Sequence, residues 1–176
     1  MKIKATFLAV SLISIVLSGC GQTGSNNEAA IKVNNIKELV SDYSAGNKKS
    51  ETASITSKEL IVNKEDGDEL IFDLSDEDFF VSIAPYVDQT HPWTNHSLTG
   101  CQGELVDTVF DVFIEDSEGT VVLNEKVKSQ SNGFFDLWLP RDKTYQIKIK
   151  YDDKVSESQI STFKDDGTCI TTMQLT

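Results

Sequence analysis

Tyr145-Gln146-Ile147-Lys148-Ile149-Lys150-Tyr151 alternates large apolar and polar side chains without a break. A period of two puts Tyr145, Ile147, Ile149 and Tyr151 on one face of a strand and the polar residues on the other. A half-buried strand of this kind belongs to an antiparallel sheet with one wet face. On the far side, Asp152-Asp153 turns the chain toward Val155–Ser161, and on the near side Pro140 stops the apolar run Phe134–Leu139. Ser131-Asn132-Gly133 and Asp116-Ser117-Glu118-Gly119 are turn sequences. They flank Val121–Val127 and follow a run that begins with Val106, Val109, Val112 and Ile114. Cys169–Leu175 reads as the last strand. About six short strands with turns at short intervals predict an antiparallel sandwich.

Before this region the pattern is mixed. Ile31, Ile36, Leu39, Val40 and Tyr43 recur at helical spacing, which predicts one amphipathic helix over 31–44, ended by Ala45-Gly46-Asn47. Lys48–Lys58 is polar and reads as a loop or weak strand. Leu60-Ile61-Val62 and Leu70–Leu74 read as strands around the turn Glu65-Asp66-Gly67-Asp68. Asp76–Val87 is a buried strand or a short helix stopped by Pro85. The fold class is therefore α+β: a small N-terminal α+β domain over 31–90, then a β-rich, antiparallel, sandwich-like domain over 91–176.

The chain has 176 residues, 39% of them hydrophobic, enough for a core. With 28 acidic against 16 basic residues it carries −12, which argues against nucleic acid, since phosphate binding needs a basic face. Charge alone names no partner, and the oligomeric state does not follow from it.

The first residues carry the most specific signal. Lys2 and Lys4 precede Ala5–Leu17, an apolar run too short for a stable membrane span. Leu17-Ser18-Gly19-Cys20 looks like a bacterial lipobox, in which cleavage before the cysteine leaves its thiol to carry a diacylglycerol. Residues 1–19 then form a lipoprotein signal peptide, Cys20 is the lipidation site, and 20–30 is a Gly/Ser/Asn-rich tether. Two or three acyl chains, at about 0.8 kcal/mol per buried methylene, hold a protein on a membrane. The protein is expected outside the cytoplasm, at the cell surface or in a periplasm, where thiols meet oxidants.

Both histidines, His91 and His96, fall within eleven residues of each other and of Cys101. Cys169 is far away in sequence. Thiolate and imidazole are good ligands for copper and zinc, with thiolate favouring Cu(I). Taken alone, Cys101 and Cys169 fit two roles. One is a structural disulfide closing a loop of about 70 residues, for which the chain-entropy model gives about 4.4 kcal/mol. The other is a metal or redox pair. The histidines alone read as surface or hydrogen-bonded groups as readily as ligands. Met173, four residues and roughly 13 Å along a strand from Cys169, reads as core. Phe134 and Trp138 read as sandwich core too, Glu104 as a residue that orders its loop, and the acidic stretch 65–78 as a solvated turn lacking calcium-loop spacing. No residue reads as catalytic.

Several separated segments occur in an order that resembles the signature of CueP, a family of bacterial extracytoplasmic copper-binding proteins. They are His91-Pro92, His96-Ser97-Leu98-Thr99, Cys101-Gln102-Gly103-Glu104-Leu105, Asn132-Gly133-Phe134, Leu137-Trp138-Leu139-Pro140-Arg141, Thr168-Cys169-Ile170-Thr171-Thr172 and Gln174-Leu175. The resemblance is strong over the C-terminal half and loose before it. It implies a β-rich domain that binds copper through cysteines with histidine nearby, Cys101, Cys169 and His96 matching those positions and His91 starting the motif. The family pattern commonly has a third cysteine where this chain has Trp93, so a three-thiolate site is not available here.

These readings combine into an expected function: a lipid-anchored protein that sequesters Cu(I) at Cys101, Cys169 and His96, with His91 as the weaker candidate ligand. The same thiols are candidates to reduce Cu(II), with a thiol reductant and a copper-accepting exported enzyme as implied partners. The alternatives are a disulfide-bonded surface module and a thiol–disulfide oxidoreductase. The latter lacks the Cys-x-x-Cys and βαβ pattern.

Overall fold

The computed structural model describes residues 35–49 and 51–176. The expected signal peptide, lipidation at Cys20, the expected tether and the first part of the expected helix lie outside the described residues. Asn35 caps α1 (Ile36–Ser44): its side-chain oxygen accepts from the Glu38 amide at 3.1 Å, satisfying one donor that the first helical turn leaves open. The helix ends at Ala45-Gly46 as expected, and Gly46 takes a φ of 71°.

Three sheets follow. The first orders β3 (Glu69–Asp73), β2 (Glu59–Asn63), β1 (Thr52–Ile55) and β5 (His96–Ser97). The second orders β10 (Lys154–Ser161), β9 (Thr144–Tyr151), β6 (Val109–Asp116) and β7 (Val121–Lys128), all antiparallel. The third is short: β11 (Cys169–Ile170), β4 (Phe79–Ile83) and β8 (Phe135–Leu139). The β-rich architecture agrees with the sequence pattern, and the Tyr145–Tyr151 alternation forms β9 with Tyr145, Ile147 and Ile149 buried.

Lys48–Lys58 takes the strand alternative, containing β1, because Ala53 and Ile55 find an apolar wall that its polar composition does not advertise. One local expectation needs correction. The last strand is only Cys169–Ile170, and it runs parallel to β4, pairing Cys169 with Ser82 and Ile170 with Ile83. The sandwich is therefore not wholly antiparallel. Asp76–Val87 resolves as a strand rather than a helix, with every residue of β4 buried.

β4 divides two apolar clusters. Phe79, Val81 and Ile83 pack with Phe110, Val112, Ile114, Tyr145, Ile147 and Ile149 of the large sheet. Phe80, pointing the other way, packs with Ile36, Val40 and Tyr43 of α1 and with Ile55, Leu60 and Val62. Each large side chain fully buried here contributes about 1.5–3 kcal/mol. Strand exchange spans position 90 in both directions: β4 pairs with β8 and β11, while β5 pairs with β1. This exchange brings the His91–Cys101 segment against the end of β4. Met173 is fully buried in the larger cluster, as expected, and Trp138 lies at the edge of the helix-side cluster.

Candidate metal centre

Four segments converge just beyond the C-terminal end of β4, where Ala84, Cys101, Phe134 and Cys169 form a small buried cluster of their own. Cys101 is set by a tight turn from β5: its amide donates to the Ser97 carbonyl at 3.0 Å, and the Ser97 amide donates back to the Cys101 Sγ at 3.3 Å. The next residues are fixed by backbone contact. The Gly103 amide donates to the Asn132 carbonyl at 2.7 Å, and a Cβ on Gly133 would lie 2.5 Å from the Gly103 oxygen. Gly133 also has a φ of 80°, so glycine is required there both for space and for conformation. The turn it makes delivers Phe134 into the cluster.

Cys169 arrives by a different route. Parallel pairing to β4 aligns it with Ser82, and its amide donates to the Thr94 carbonyl at 3.0 Å. Thr168 stitches the same junction: its hydroxyl accepts from the His96 amide at 3.0 Å and donates to the Ile55 carbonyl at 2.7 Å. Thr171 donates to the His91 carbonyl at 2.6 Å. Thr168 and Thr171 flank Cys169 closely, but nothing in local composition marks them as the links that hold the histidine segment.

Cys101 and Cys169 are both free thiols and both buried. The ligand atoms of His91, Cys101 and Cys169 all lie within 4.8 Å of one another. His96, fully buried, sits beside Cys101 but does not belong to that trio. The two imidazoles flank Phe134, with ring centroids 4.6 Å away for His96 and 5.9 Å for His91. Phe134 is thus the apolar wall of this cluster rather than part of the sandwich core, because the Gly133 turn swings it away from the large sheet. Trp93 is half exposed and tilts over His91 at 5.0 Å. Among the described residues, neither ring nitrogen of either histidine has a hydrogen-bond partner.

The electrostatics of the two sulfurs differ. The neighbouring Cys169 thiol, helped by His96 and the Ser97 amide, holds the Cys101 thiol well below its usual range against the opposing effect of burial. Cys169 is pushed up by its hydrogen bond to Cys101 and by burial. Of the two sulfurs, Cys101 is therefore the one that ionises first and Cys169 the one that keeps its proton. A buried thiolate with a second sulfur and an imidazole in reach is a donor set suited to a soft cation.

The chain matches the family model described as periplasmic copper-binding protein CueP over residues 33–174. It belongs to the CueP family. The crystal structure of S.CueP superposes with a TM-score of 0.76 at 33% sequence identity, covering 85% of this chain and 93% of that one. A search of curated proteins gave no match. The CueP assignment agrees with the resemblance carried by the His91–Leu105 and Thr168–Leu175 motifs. Among the described residues, no helix is long and apolar enough to cross a membrane.

Proposed function

We propose that this chain is an extracytoplasmic copper-binding protein that holds one Cu(I) between Cys101 and Cys169, with imidazole completing a trigonal site. The observation that carries this reading is the convergence of His91, Cys101 and Cys169 to within 4.8 Å inside a buried pocket wall. The orphaned ring nitrogens support it, since buried polar atoms ordinarily find a partner and a metal ion is one. His91 reaches both sulfurs and is the favoured third ligand, and His96 beside Cys101 is the second imidazole in reach. The set includes soft thiolates, which suit Cu(I), and no carboxylate.

Cys20 anchors the domain to a membrane through lipid, as the lipobox pattern supports. The dithiol also reduces copper in this proposal. Two Cu(II) each take one electron, Cys101 and Cys169 become a disulfide, and the proton still held by Cys169 passes to solvent. A thiol reductant must then restore the pair before it can hold Cu(I) for delivery to an exported enzyme.

The test is an anaerobic Cu(I) titration of the reduced full chain against a colorimetric chelator, beside Cys101→Ser and Cys169→Ser. One-to-one binding lost in both variants is the expected result. Failure of the unaltered protein to compete would overturn it and leave a surface module with two inert thiols.

A further inference from the structure

Cys101 is fixed by a turn and Cys169 by a strand, but His91 lies outside any strand, on the segment 87–91. That segment is clipped at both ends. The amides of Val87, Asp88 and Gln89 all donate to the same oxygen, Oε2 of Glu104, at 2.9, 3.0 and 3.0 Å. At the other end the Thr171 hydroxyl donates to the His91 carbonyl, and the Thr90 hydroxyl donates to the Thr171 carbonyl, both at 2.6 Å. Glu104 stands three residues after Cys101, and Thr171 two after Cys169. Each cysteine segment thus supplies one clip that holds the histidine segment.

The second observation is a cavity of about 10 Å³ whose lining includes His91, Glu104, Gln89, Gln102 and Thr171. That volume is at the lower limit for one water molecule. Only one His91 nitrogen can face the sulfurs, and the other, buried and unpartnered among the described residues, needs a group to fix its tautomer. Oε1 of Glu104 accepts no hydrogen bond among the described residues, and it belongs to a residue that lines the same cavity. The Gln89 amide foremost, then those of Asp88 and Val87, hold the Glu104 carboxyl below the usual range and keep it an anion.

We propose that Glu104 is the positioning residue for His91: Oε2 gathers the strap that carries the histidine, and Oε1 orients the ring through one water in the cavity between them. This rests on the reading of His91 as a copper ligand. Ligating histidines commonly need such an outer partner, and its loss typically weakens metal binding 10- to 100-fold.

The test is a double-mutant cycle on the full chain in detergent, with Cu(I) affinity read by chelator competition. Glu104→Ala should weaken binding about 10- to 100-fold, in line with the loss of an outer-shell partner. His91→Ala should weaken it at least as much, and the double variant no further than His91→Ala alone. Glu104→Gln, which keeps an acceptor oxygen for the three amides, should recover part of the loss and serves if the alanine variant does not fold. In metal-free protein, ring ¹⁵N shifts should show one His91 tautomer that becomes a mixture in Glu104→Ala. Unchanged affinity and tautomer in the Glu104 variants, with His91→Ala still weak, would overturn the positioning role alone. A full-strength His91→Ala beside an inactive Cys101→Ser would instead remove His91 from the copper ligands and the inference with it.

Discussion

The core beneath the large sheet and the cluster beyond the end of β4 are equally dry and differ in what they bury. In the core, Phe79, Val81, Ile83, Phe110, Ile147 and Ile149 present only carbon, and the one polar handle, the Tyr145 hydroxyl, donates to the Pro140 carbonyl at 3.0 Å. In the cluster, two thiols and two imidazoles surround Phe134, and the imidazole nitrogens have no partner among the described residues. Burying a polar group without a partner costs on the order of 1–3 kcal/mol in proteins. The first region lowers the free energy of folding, while the second holds donors ready for an ion. Mutations should therefore separate stability from binding according to the region they touch.

The largest expected effect is on stability alone. Phe79→Ala should cost about 3–5 kcal/mol, the range for removing a buried aromatic. Chemical denaturation measures this, and copper affinity of the molecules that remain folded should not change. A parallel loss of affinity would show that the two regions are coupled through β4.

Cys101→Ser should act chiefly on binding. Structural zinc sites gather on the order of 10–16 kcal/mol from four such ligands, and by that measure losing one thiolate here should weaken Cu(I) binding roughly 100-fold or more. Part of the loss should also appear in the melting temperature of metal-free protein at neutral pH, because a thiolate held below its ordinary range stabilises the fold there, and an unmoved melting temperature would mean that the sulfur rests as a thiol.

Gly133→Ala should disturb both regions, because a Cβ there meets the Gly103 backbone and φ is 80°. A loss of about 1–3 kcal/mol is expected from the strained backbone. Copper binding should weaken as well, since the Gly103–Gly133 contact sets both Cys101 and Phe134. Preserved affinity would show that the loop adjusts without moving the ligands.

The pH behaviour sharpens the contrast further. In metal-free protein the ultraviolet thiolate absorbance of Cys101 should persist well below the ordinary thiol range and vanish only at acid pH. Cys169→Ala, which removes the donor, should move that transition to higher pH, and an unmoved transition would deny that Cys169 holds the thiolate. The smallest effect lies on the sandwich side. The buried Asp116 carboxylate accepts from Lys143 at 2.7 Å and from the Thr120 and Glu118 amides, with Lys143 as the main cause of its depressed value of about 2. A depressed carboxylate stabilises the fold above its ordinary value of 3.8 and loses that contribution as pH falls toward about 2. The melting-temperature gap between the unaltered chain and Asp116→Asn should be widest above pH 4 and close toward pH 2.

The strands were legible wherever one face is dry. Alternation in Tyr145–Tyr151 yields β9, and the apolar run at Phe134–Leu139 yields β8 within one residue. β1 was legible only as a loop or weak strand because its burial depends on α1 and β2, and Thr52 and Ser54 dilute the apolar signal. Of the candidate site, the residue types and their grouping around Cys101 could be read directly. The roles of Phe134, Thr168 and Thr171 could not, since each acts through a partner distant in the chain.

By itself, then, the sequence determined the β-rich class, the family and the four thiol and imidazole side chains that are candidate ligands, because side-chain period and donor type are local properties. Only the tertiary structure decided which histidine faces both sulfurs. Cys169 reaches Cys101 through parallel pairing to β4, and His91 reaches them on a strap held by Glu104 and Thr171. Spacing along the chain cannot encode those contacts. The pairing of strands distant in sequence sets them, and it depends on the packing of the whole fold.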